Sequence, residues 1–196
     1  MAVLCHTFNR YEWLWDGFLE GWSRKVKLDA CKFLGTDLKN HGAHATGDWQ
    51  YLYSGDGEWS DRLIALLGQI NSAYVLYIQE DMWPCQALPD HASLLRLMSD
   101  HNLCRLQISP IIHFYSLQGS GIPFYFHLSS KYLVSHQPSI WRKDFLLQCL
   151  VKNESPWKHE YEGTKRLKQR TDLLNRIAIY PHDWFRHKCS KGQFIP

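Results

Sequence analysis

An acidic pair, Glu80-Asp81, follows a run of apolar and aromatic residues that begins at Ala73. The run is rich in strand formers and lacks polar alternation, which is typical of a parallel strand buried on both faces, and Pro84 then stops regular structure. Ligands of open α/β sheets bind beyond the carboxyl ends of the strands. Carboxylate oxygens there suit Mg²⁺ or Mn²⁺, which usually arrive with substrate phosphates. The pair therefore predicts a metal–nucleotide site, and a strand end with solvated acids is the plain alternative.

Two earlier strands bring further polar residues to the same edge. Residues 2–8 predict a first buried strand and residues 32–35 a second. The carboxyl ends of parallel strands meet at one edge, so the polar residues that follow these strands converge with the acidic pair. Asp37 is suited to accept hydrogen bonds from a ribose hydroxyl or a uracil-like ring, although capping a loop is an equally good role for it. The residues expected to bind the nucleotide side of a ligand are Thr7, Asn9, Arg10, Tyr11, Asp37, Asp56, Arg62, Glu80 and Asp81.

Alternating strands and helices must position these residues. Helical spacing or strand-like runs predict, in chain order, a helix over 11–22, a strand over 49–53, a helix over 63–70, a helix over 90–100 and a strand over 104–109. This alternation favours a mostly parallel sheet flanked by helices. The second half predicts a smaller antiparallel extension over 111–117, 122–128 and 132–135, then helices over 141–151 and 163–177. The fold class is α/β, and residues 1–196 are expected to form a single domain.

Composition limits the classes of partner. The chain has 196 residues and a formal net charge of +3, which is too small to indicate a nucleic-acid partner. Six cysteines without C-x-x-C spacing predict reduced thiols and a cytoplasmic protein. The longest apolar run is far shorter than the roughly 20 residues of a membrane-spanning helix, so no transmembrane segment is expected. Nothing in the composition fixes the oligomeric state.

Three segments together carry a resemblance to a known family. They are Gln79-Glu80-Asp81, the stretch LVSHQPSIWRKDFL over 133–146, and ESPWKHE over 154–160. The chain resembles GT-A-fold nucleotide-sugar glycosyltransferases, in particular small bacterial and large-DNA-virus members, in which a strand-end D-x-D motif holds Mn²⁺ or Mg²⁺. Here the acids are adjacent rather than spaced, so which one meets the metal is left open, with Asp81 placed before Glu80.

The resemblance implies a single GT-A-like, Rossmann-like domain. Residues 1–110 would bind the nucleotide-sugar donor, with a uridine diphosphate (UDP) sugar expected, and residues 111–196 the glycan or other hydroxyl acceptor. It implies that Glu160 is the base of an inverting transfer, with Glu162 and Asp144 as rivals; an exposed acid at a helix start is its plain alternative. By the same resemblance, His182 or His187 completes the metal shell beside the acidic pair. The acceptor or sugar pocket would be lined by Gln137, Trp141 and Trp157.

Other classes remain in competition. A sugar-nucleotide pyrophosphorylase needs a glycine-rich phosphate loop after the first strand, and residues 5–10 contain no glycine. The spacing H-x₄-H-x-C near the C-terminus lacks the second cysteine pair of a structural zinc site. A non-catalytic module that binds glycans or single-stranded nucleic acid on aromatic platforms is the main alternative, supported by the basic stretch 165–170.

Overall fold

The computed structural model describes residues 1–39, 47–109, 115–190 and 192–195. The strands are β1 (Ala2–His6), β2 (Cys31–Thr36), β3 (Trp49–Tyr53), β4 (Tyr74–Gln79), β5 (Met82–Pro84), β6 (Arg105–Gln107), β7 (Leu117–Gln118), β8 (Phe124–Phe126), β9 (Ser139–Arg142), β10 (Ile177–Ile179), β11 (Phe185–His187), β12 (Cys189–Ser190) and β13 (Gln193–Phe194). The helices are α1 (Trp15–Lys25), α2 (Trp59–Gln69), α3 (His91–Asp100), α4 (Lys143–Cys149) and α5 (Pro156–Lys168), with 3₁₀ helices over Asn9–Leu14 and Thr171–Arg176. Across these described ranges, no helix has the length and apolar character needed to span a bilayer.

Within the described residues, the central sheet has nine strands in the order β3-β2-β1-β4-β9-β6-β10-β8-β7. The four strands β3, β2, β1 and β4 are parallel, and β9 runs antiparallel between β4 and β6. The chain leaves β1 for β2 on one side and reaches β4 on the other. The strand order therefore reverses between β1 and β4, which creates the crevice in which such sheets bind ligands.

The two faces of the sheet carry separate cores. Alternate residues of β4 point to opposite faces, so Leu76 and Ile78 join one core while Val75 and Tyr77 join the other. Helices α1 and α3 cover the first face, and α2, α4 and α5 contribute to the second. Burial on both faces explains why β1 and β4 read as continuous apolar runs. The predicted α/β class with a mostly parallel sheet and an antiparallel extension is confirmed.

Two helix starts predicted in the second half are wrong. Residues 139–142 form strand β9 rather than the start of a helix, because Ile140 and Trp141 are buried between neighbouring strands; α4 begins at Lys143. Helix α5 starts at Pro156 rather than at residue 163, since Ser155 caps it by accepting a hydrogen bond from the Lys158 amide.

The predicted helix over 163–177 is replaced by the end of α5, a 3₁₀ helix and strand β10, which pairs with β6. The predicted strand over 132–135 is an irregular segment; the Thr164 hydroxyl accepts hydrogen bonds from the amides of Leu133 and Val134. Of the predicted stretch 111–117, residues 111–114 lie outside the described residues, and Leu117 begins β7.

Candidate active site

The carboxyl ends of three parallel strands meet at one level. His6 at the end of β1 is in register with Gly35 of β2 and with Gln79 of β4. The residues that follow these positions therefore emerge together beside the point where the strand order reverses. They include Thr7, Asp37 and the acidic pair, as the sequence predicts.

Asp37 and Arg62 form a largely buried ion pair at this edge. The Asp37 carboxylate accepts hydrogen bonds from Arg62 Nη1 at 3.0 Å and from the Asn9 backbone amide at 2.8 Å. The Arg62 guanidinium also lies 3.8 Å from the centre of the Phe8 ring. Burial lowers the pKa of Arg62, and Asp37 opposes that shift. The hydrogen bond from the Asn9 amide to Asp37 fixes the loop after β1. The Arg62 cation, the Asp37 anion and the face of the Phe8 ring therefore lie side by side at this edge.

Arg10 and Tyr11 continue this surface. The Arg10 guanidinium lies 4.8 Å from the centre of the Tyr11 ring and 5.3 Å from that of Phe8. Asp56 is exposed in the turn after β3, between Gly55 and Gly57, which both have positive φ. Arg10 and Tyr11 thus lie beside the Asp37–Arg62 pair, while no described contact joins Asp56 to it.

The two acids of the pair have different surroundings. Glu80 is 5% exposed, and burial, followed by the charge of Asp81, raises its pKa to about 8. Asp81 is more open: its Oδ2 accepts a hydrogen bond from His187 Nε2 at 2.7 Å, and its buried Oδ1 has no hydrogen-bond partner in the part of the chain that the structure describes. Since metals bind carboxylates rather than neutral carboxylic acids, Asp81 suits a cation better than Glu80.

A short β-ribbon carries His187 to Asp81. Strand β5 follows the acidic pair directly and pairs antiparallel with β11, with Met82 opposite His187. The Lys188 amide donates to the Asp81 carbonyl at 2.7 Å, which fixes this approach. The hydrogen bond to Asp81 raises the pKa of His187. His182 stacks instead on Trp184, with ring centres 4.6 Å apart, and makes no described hydrogen bond to either acid.

The donor set at Asp81 fits a hard cation that arrives with phosphates. Oδ1 of Asp81, which has no hydrogen-bond partner among the described residues, is an available oxygen ligand. His187 Nε2 can become a nitrogen ligand beside it by giving up its hydrogen bond to Asp81 Oδ2. Across the described residues, no cluster of three or more His, Cys, Asp or Glu side chains could hold a metal by itself. Mg²⁺ and Mn²⁺ sites on diphosphates commonly use one or two carboxylates and take the remaining ligands from phosphate and water.

Glu160 lies on α5 against the loop that precedes β9. Its Oε1 accepts a hydrogen bond from the His136 backbone amide at 2.8 Å, and 23% of its side chain is exposed. Burial raises the pKa of Glu160, while the His136 amide and the charge of Arg105 oppose that shift. A half-buried carboxylate with a raised pKa and a fixed orientation can accept a proton from a hydroxyl group.

A cluster of buried rings connects Glu160 to the end of β1. The His136 ring stacks on Trp59 at 4.1 Å between centres, and Trp59 lies 5.7 Å from His6. His136 Nε2 is 2.9 Å from His159 Nδ1. Only one layer of rings therefore separates the loop that holds Glu160 from the carboxyl edge of the sheet.

The other predicted residues have varied positions. Gln137 accepts a hydrogen bond from the Ser109 hydroxyl at 3.1 Å, is half-buried, and directly follows His136, whose amide contacts Glu160. Trp141 is 1% exposed and packs in the core against Phe145, and its role in the acceptor or sugar pocket stays a prediction. Trp157 is 73% exposed on α5, one turn before Glu160 and Tyr161.

The rival bases are engaged with cations on the surface. Glu162 pairs with Lys165, and Asp144 pairs with Arg142 and accepts from the Phe145 amide. Both acids are more exposed than Glu160. The surroundings of Glu160 are therefore better suited to a base with a raised pKa.

Sequence reasoning missed the residues that support Glu160. Arg105 is fully buried, and its guanidinium donates to the Leu133 carbonyl and to the hydroxyls of Ser135 and Ser139. It thereby fixes the loop whose His136 amide contacts Glu160. The neighbouring His136 lies within the quoted family motif, but an arginine within a strand carries no pattern that marks it as a buried anchor.

The sheet and its flanking helices match solved structures with the GT-A fold that the resemblance implies. This confirms the resemblance at the level of the fold. No family model matches the chain, and no curated protein matches its sequence.

Solved structures of S. aureus TarS share the fold. The structure of TarS 1–349 in complex with UDP matches with a TM-score of 0.64 at 13% identity, over 94% of this chain and 60% of that one. The complex of TarS 1–349 with UDP-GlcNAc matches with a TM-score of 0.60 at 13% identity, over 99% of this chain and 60% of that one. This chain thus spans about 60% of the length of those structures, and the likeness establishes the fold alone.

Proposed function

We propose that this protein is a metal-dependent glycosyltransferase that moves a sugar from a nucleotide-sugar, with UDP as the expected nucleotide, to a hydroxyl group of a glycan or similar acceptor. The observation that carries the proposal is the placement of Asp81 at the switch point of a GT-A sheet, with one carboxylate oxygen bonded to His187 and the other without a partner among the residues that the structure describes. The UDP and UDP-GlcNAc complexes of TarS support a UDP-linked donor on the same fold.

The donor would lie along the carboxyl edge. Asp37 and the Thr7–Asn9 backbone would receive the ribose or base, Tyr11 would stack against the ring, and Arg62 and Arg10 would face the phosphates. The Asp37 carboxylate accepts one hydrogen bond from Arg62 and one from the Asn9 amide. Because a carboxylate has about four lone-pair sites, it can accept further hydrogen bonds from a ligand. Burial raises the pKa of Glu80 to about 8, so near pH 7 its carboxyl group is protonated and would donate a hydrogen bond to the ligand rather than accept one.

Asp81 and His187 would hold the cation, with Glu80 behind them. When bound, Mg²⁺ or Mn²⁺ supplies charge neutralisation to the departing diphosphate. Before the cation binds, the hydrogen bond from His187 and the β5–β11 ribbon orient Asp81, and His187 Nε2 would give up that bond to become a ligand.

Glu160 would act as the base of an inverting transfer. Its carboxylate takes the proton of the acceptor hydroxyl while that oxygen attacks the anomeric carbon, and the bond from the anomeric carbon to the diphosphate oxygen breaks, with its electron pair leaving on the diphosphate. Gln137 and the exposed Trp157 would bind the acceptor beside Glu160; an exposed indole offers a flat apolar face on which a sugar ring can stack.

A nucleic-acid-binding module is not favoured by the surface. Within the basic stretch 165–170, Lys165 pairs with Glu162, Arg166 with Glu154 and Arg170 with Asp172. Local acids thus pair with three of the four cations of this stretch, with Lys168 as the fourth, which leaves little charge for phosphates. We propose that the enzyme acts in the cytoplasm, since all six of its cysteines are free thiols in the structure.

Calorimetric titration with UDP, with and without Mn²⁺, tests the proposal. We expect Mn²⁺-dependent binding that Asp81→Asn removes. The matched control is Asp90→Asn, which replaces an acid that caps α3 by an equally good cap and should bind like the wild type. UDP binding that needs neither Mn²⁺ nor Asp81, or no binding of any nucleoside diphosphate, would contradict the proposed function.

A further inference from the structure

Two buried histidines lie behind Glu160 in a fixed chain of hydrogen bonds. His159 Nε2 lies 3.2 Å from the Cys149 carbonyl, and His159 Nδ1 lies 2.9 Å from His136 Nε2. Both rings are nearly or fully buried, and they lie edge to edge in nearly parallel planes with their centres 5.2 Å apart. Burial lowers the pKa of His159 to about 4 and that of His136 well below its usual value, so both are neutral near pH 7.

The Cys149 carbonyl sets the tautomer of both rings. A carbonyl oxygen only accepts, so His159 Nε2 carries the proton and donates it to Cys149. In a neutral ring the other nitrogen is then bare, and His159 Nδ1 accepts from His136 Nε2. His136 Nδ1 is left without a proton, and it lies 3.9 Å from Glu160 Oε1. This contact is not an ion pair, because His136 is neutral.

His136 thus offers Glu160 a donor and an acceptor at adjacent positions. Its backbone amide donates to the carboxylate at 2.8 Å, and its bare Nδ1 can accept from the carboxylic acid after a small rotation of either side chain. We propose that His136 and His159 are positioning residues that hold Glu160 in one place in both protonation states and favour its proton uptake. This inference rests on Glu160 being the base of the proposed transfer.

The proton balance of the transfer is simple. The proton of the acceptor hydroxyl moves to Glu160 as the new glycosidic bond forms and the diphosphate departs with the electron pair. The proton then stays on Glu160, hydrogen-bonded to His136 Nδ1, until it passes to water when the products leave. Neither histidine changes charge.

The other titratable groups that face Glu160 and the two histidines are Arg105, His6 and the pair Glu154–Arg166. Arg105 acts on Glu160 from beneath the loop and lowers its pKa. His6, itself buried and neutral, faces His136. Near His159, Glu154 and Arg166 pair with each other and oppose one another in their effect on its pKa. A substitution at residue 159 changes the tautomer of His136 while it leaves Arg105, His6 and the Glu154–Arg166 pair in the chain.

The test is the pKa of Glu160 itself, followed in isotope-labelled protein by carboxyl carbon NMR and assigned by its loss in Glu160→Gln. In His159→Phe the His136 ring is free to carry its proton on Nδ1 and donate to the carboxylate, so the pKa of Glu160 should fall by about one unit. In His159→Gln the amide can donate to the Cys149 carbonyl and accept from His136 Nε2, so the pKa should stay at the wild-type value. His101→Phe, at a histidine that bonds Tyr125 outside the cluster, is the matched control and should also leave it unchanged.

Ring nitrogen NMR of the wild type provides a second readout that needs no substitution. We expect a protonated Nε2 and a bare Nδ1 on both His136 and His159. A proton on His136 Nδ1, or an unchanged Glu160 pKa in a folded His159→Phe protein, overturns the inference. Because neither readout depends on turnover, a lack of transferase activity would contradict the proposed function and leave this inference to be decided by the titration.

Discussion

Removing the Asp37 carboxylate should leave Arg62 as an uncompensated, largely buried cation. The side chains are 10% exposed for Arg62 and 19% for Asp37, and the charged atoms lie 3.0 Å apart. At 3.0 Å, Coulomb's law with an effective dielectric constant of about 20 gives roughly 5 kcal/mol of attraction before desolvation is subtracted. Breaking a buried pair from one side costs about 3–5 kcal/mol, and the residual exposure places Asp37→Ala near the lower limit, at about 3 kcal/mol.

Thermal unfolding measures this cost. For a chain of this size about 3 kcal/mol corresponds to a Tm decrease of roughly 6–12 °C. Arg62→Met should relieve part of the loss, so a double-mutant cycle should give a coupling energy of about 1–3 kcal/mol. Asp172→Ala is the matched control, since Asp172 and Arg170 form an exposed pair, and it should leave Tm essentially unchanged. If Asp37→Ala melts like the control, or if the two changes are additive within about 0.5 kcal/mol, the ion pair does not hold this edge.

Two further predictions concern packing and pH. Gly17→Ala should destabilise the protein by about 1–3 kcal/mol, because the added Cβ would collide with the Trp83 ring. In the control Gly68→Ala the added Cβ meets open space in α2, so this change should stabilise the protein by up to about 1 kcal/mol. Urea unfolding compares the two variants, and equal stability would refute the collision. The free energy of unfolding should fall as pH drops below 6.5, because the unfolded state protonates His6, His136 and His159 while the native state keeps all three neutral, His6 until pH falls to about 3 and His159 until it falls to about 4. Glu80 acts in the opposite direction, as one group against three, because the native state keeps it protonated up to about pH 8 while the unfolded state does so only near pH 4.5. Each histidine contributes a loss of up to about 1.4 kcal/mol per pH unit, and a stability that stays flat from pH 7 to about 5 would contradict their burial as neutral rings.

Strand β4 and its acidic pair could be predicted because a strand buried on both faces leaves a continuous apolar run, and the polar break marks its end. Asp37 could be placed at the same edge for the same reason. These predictions depend only on local pattern and on the geometry of parallel sheets.

Residues whose role depends on contacts between distant parts of the sequence could not be predicted from local pattern. His187 meets Asp81 only because β5 and β11 pair, and the sequence gives no sign of that two-stranded ribbon. Strand β9 could not be separated from α4 in the sequence, because no glycine or proline lies between its apolar residues and those of the helix. Arg105 acquires its role from tertiary burial, which no local spacing encodes.

The central claim is tested most directly by measuring the release of nucleoside diphosphate from a panel of nucleotide-sugars in the presence of Mn²⁺. Wild type, Glu160→Gln and Glu162→Gln are compared in parallel. We predict that all three proteins bind UDP with similar affinity and that Glu160→Gln lowers turnover of the preferred donor by about 10²- to 10⁴-fold. Glu162→Gln, at the exposed rival acid, should turn over like the wild type. Turnover by Glu160→Gln at the wild-type rate, or no turnover of any nucleotide-sugar by the wild type, would contradict the account.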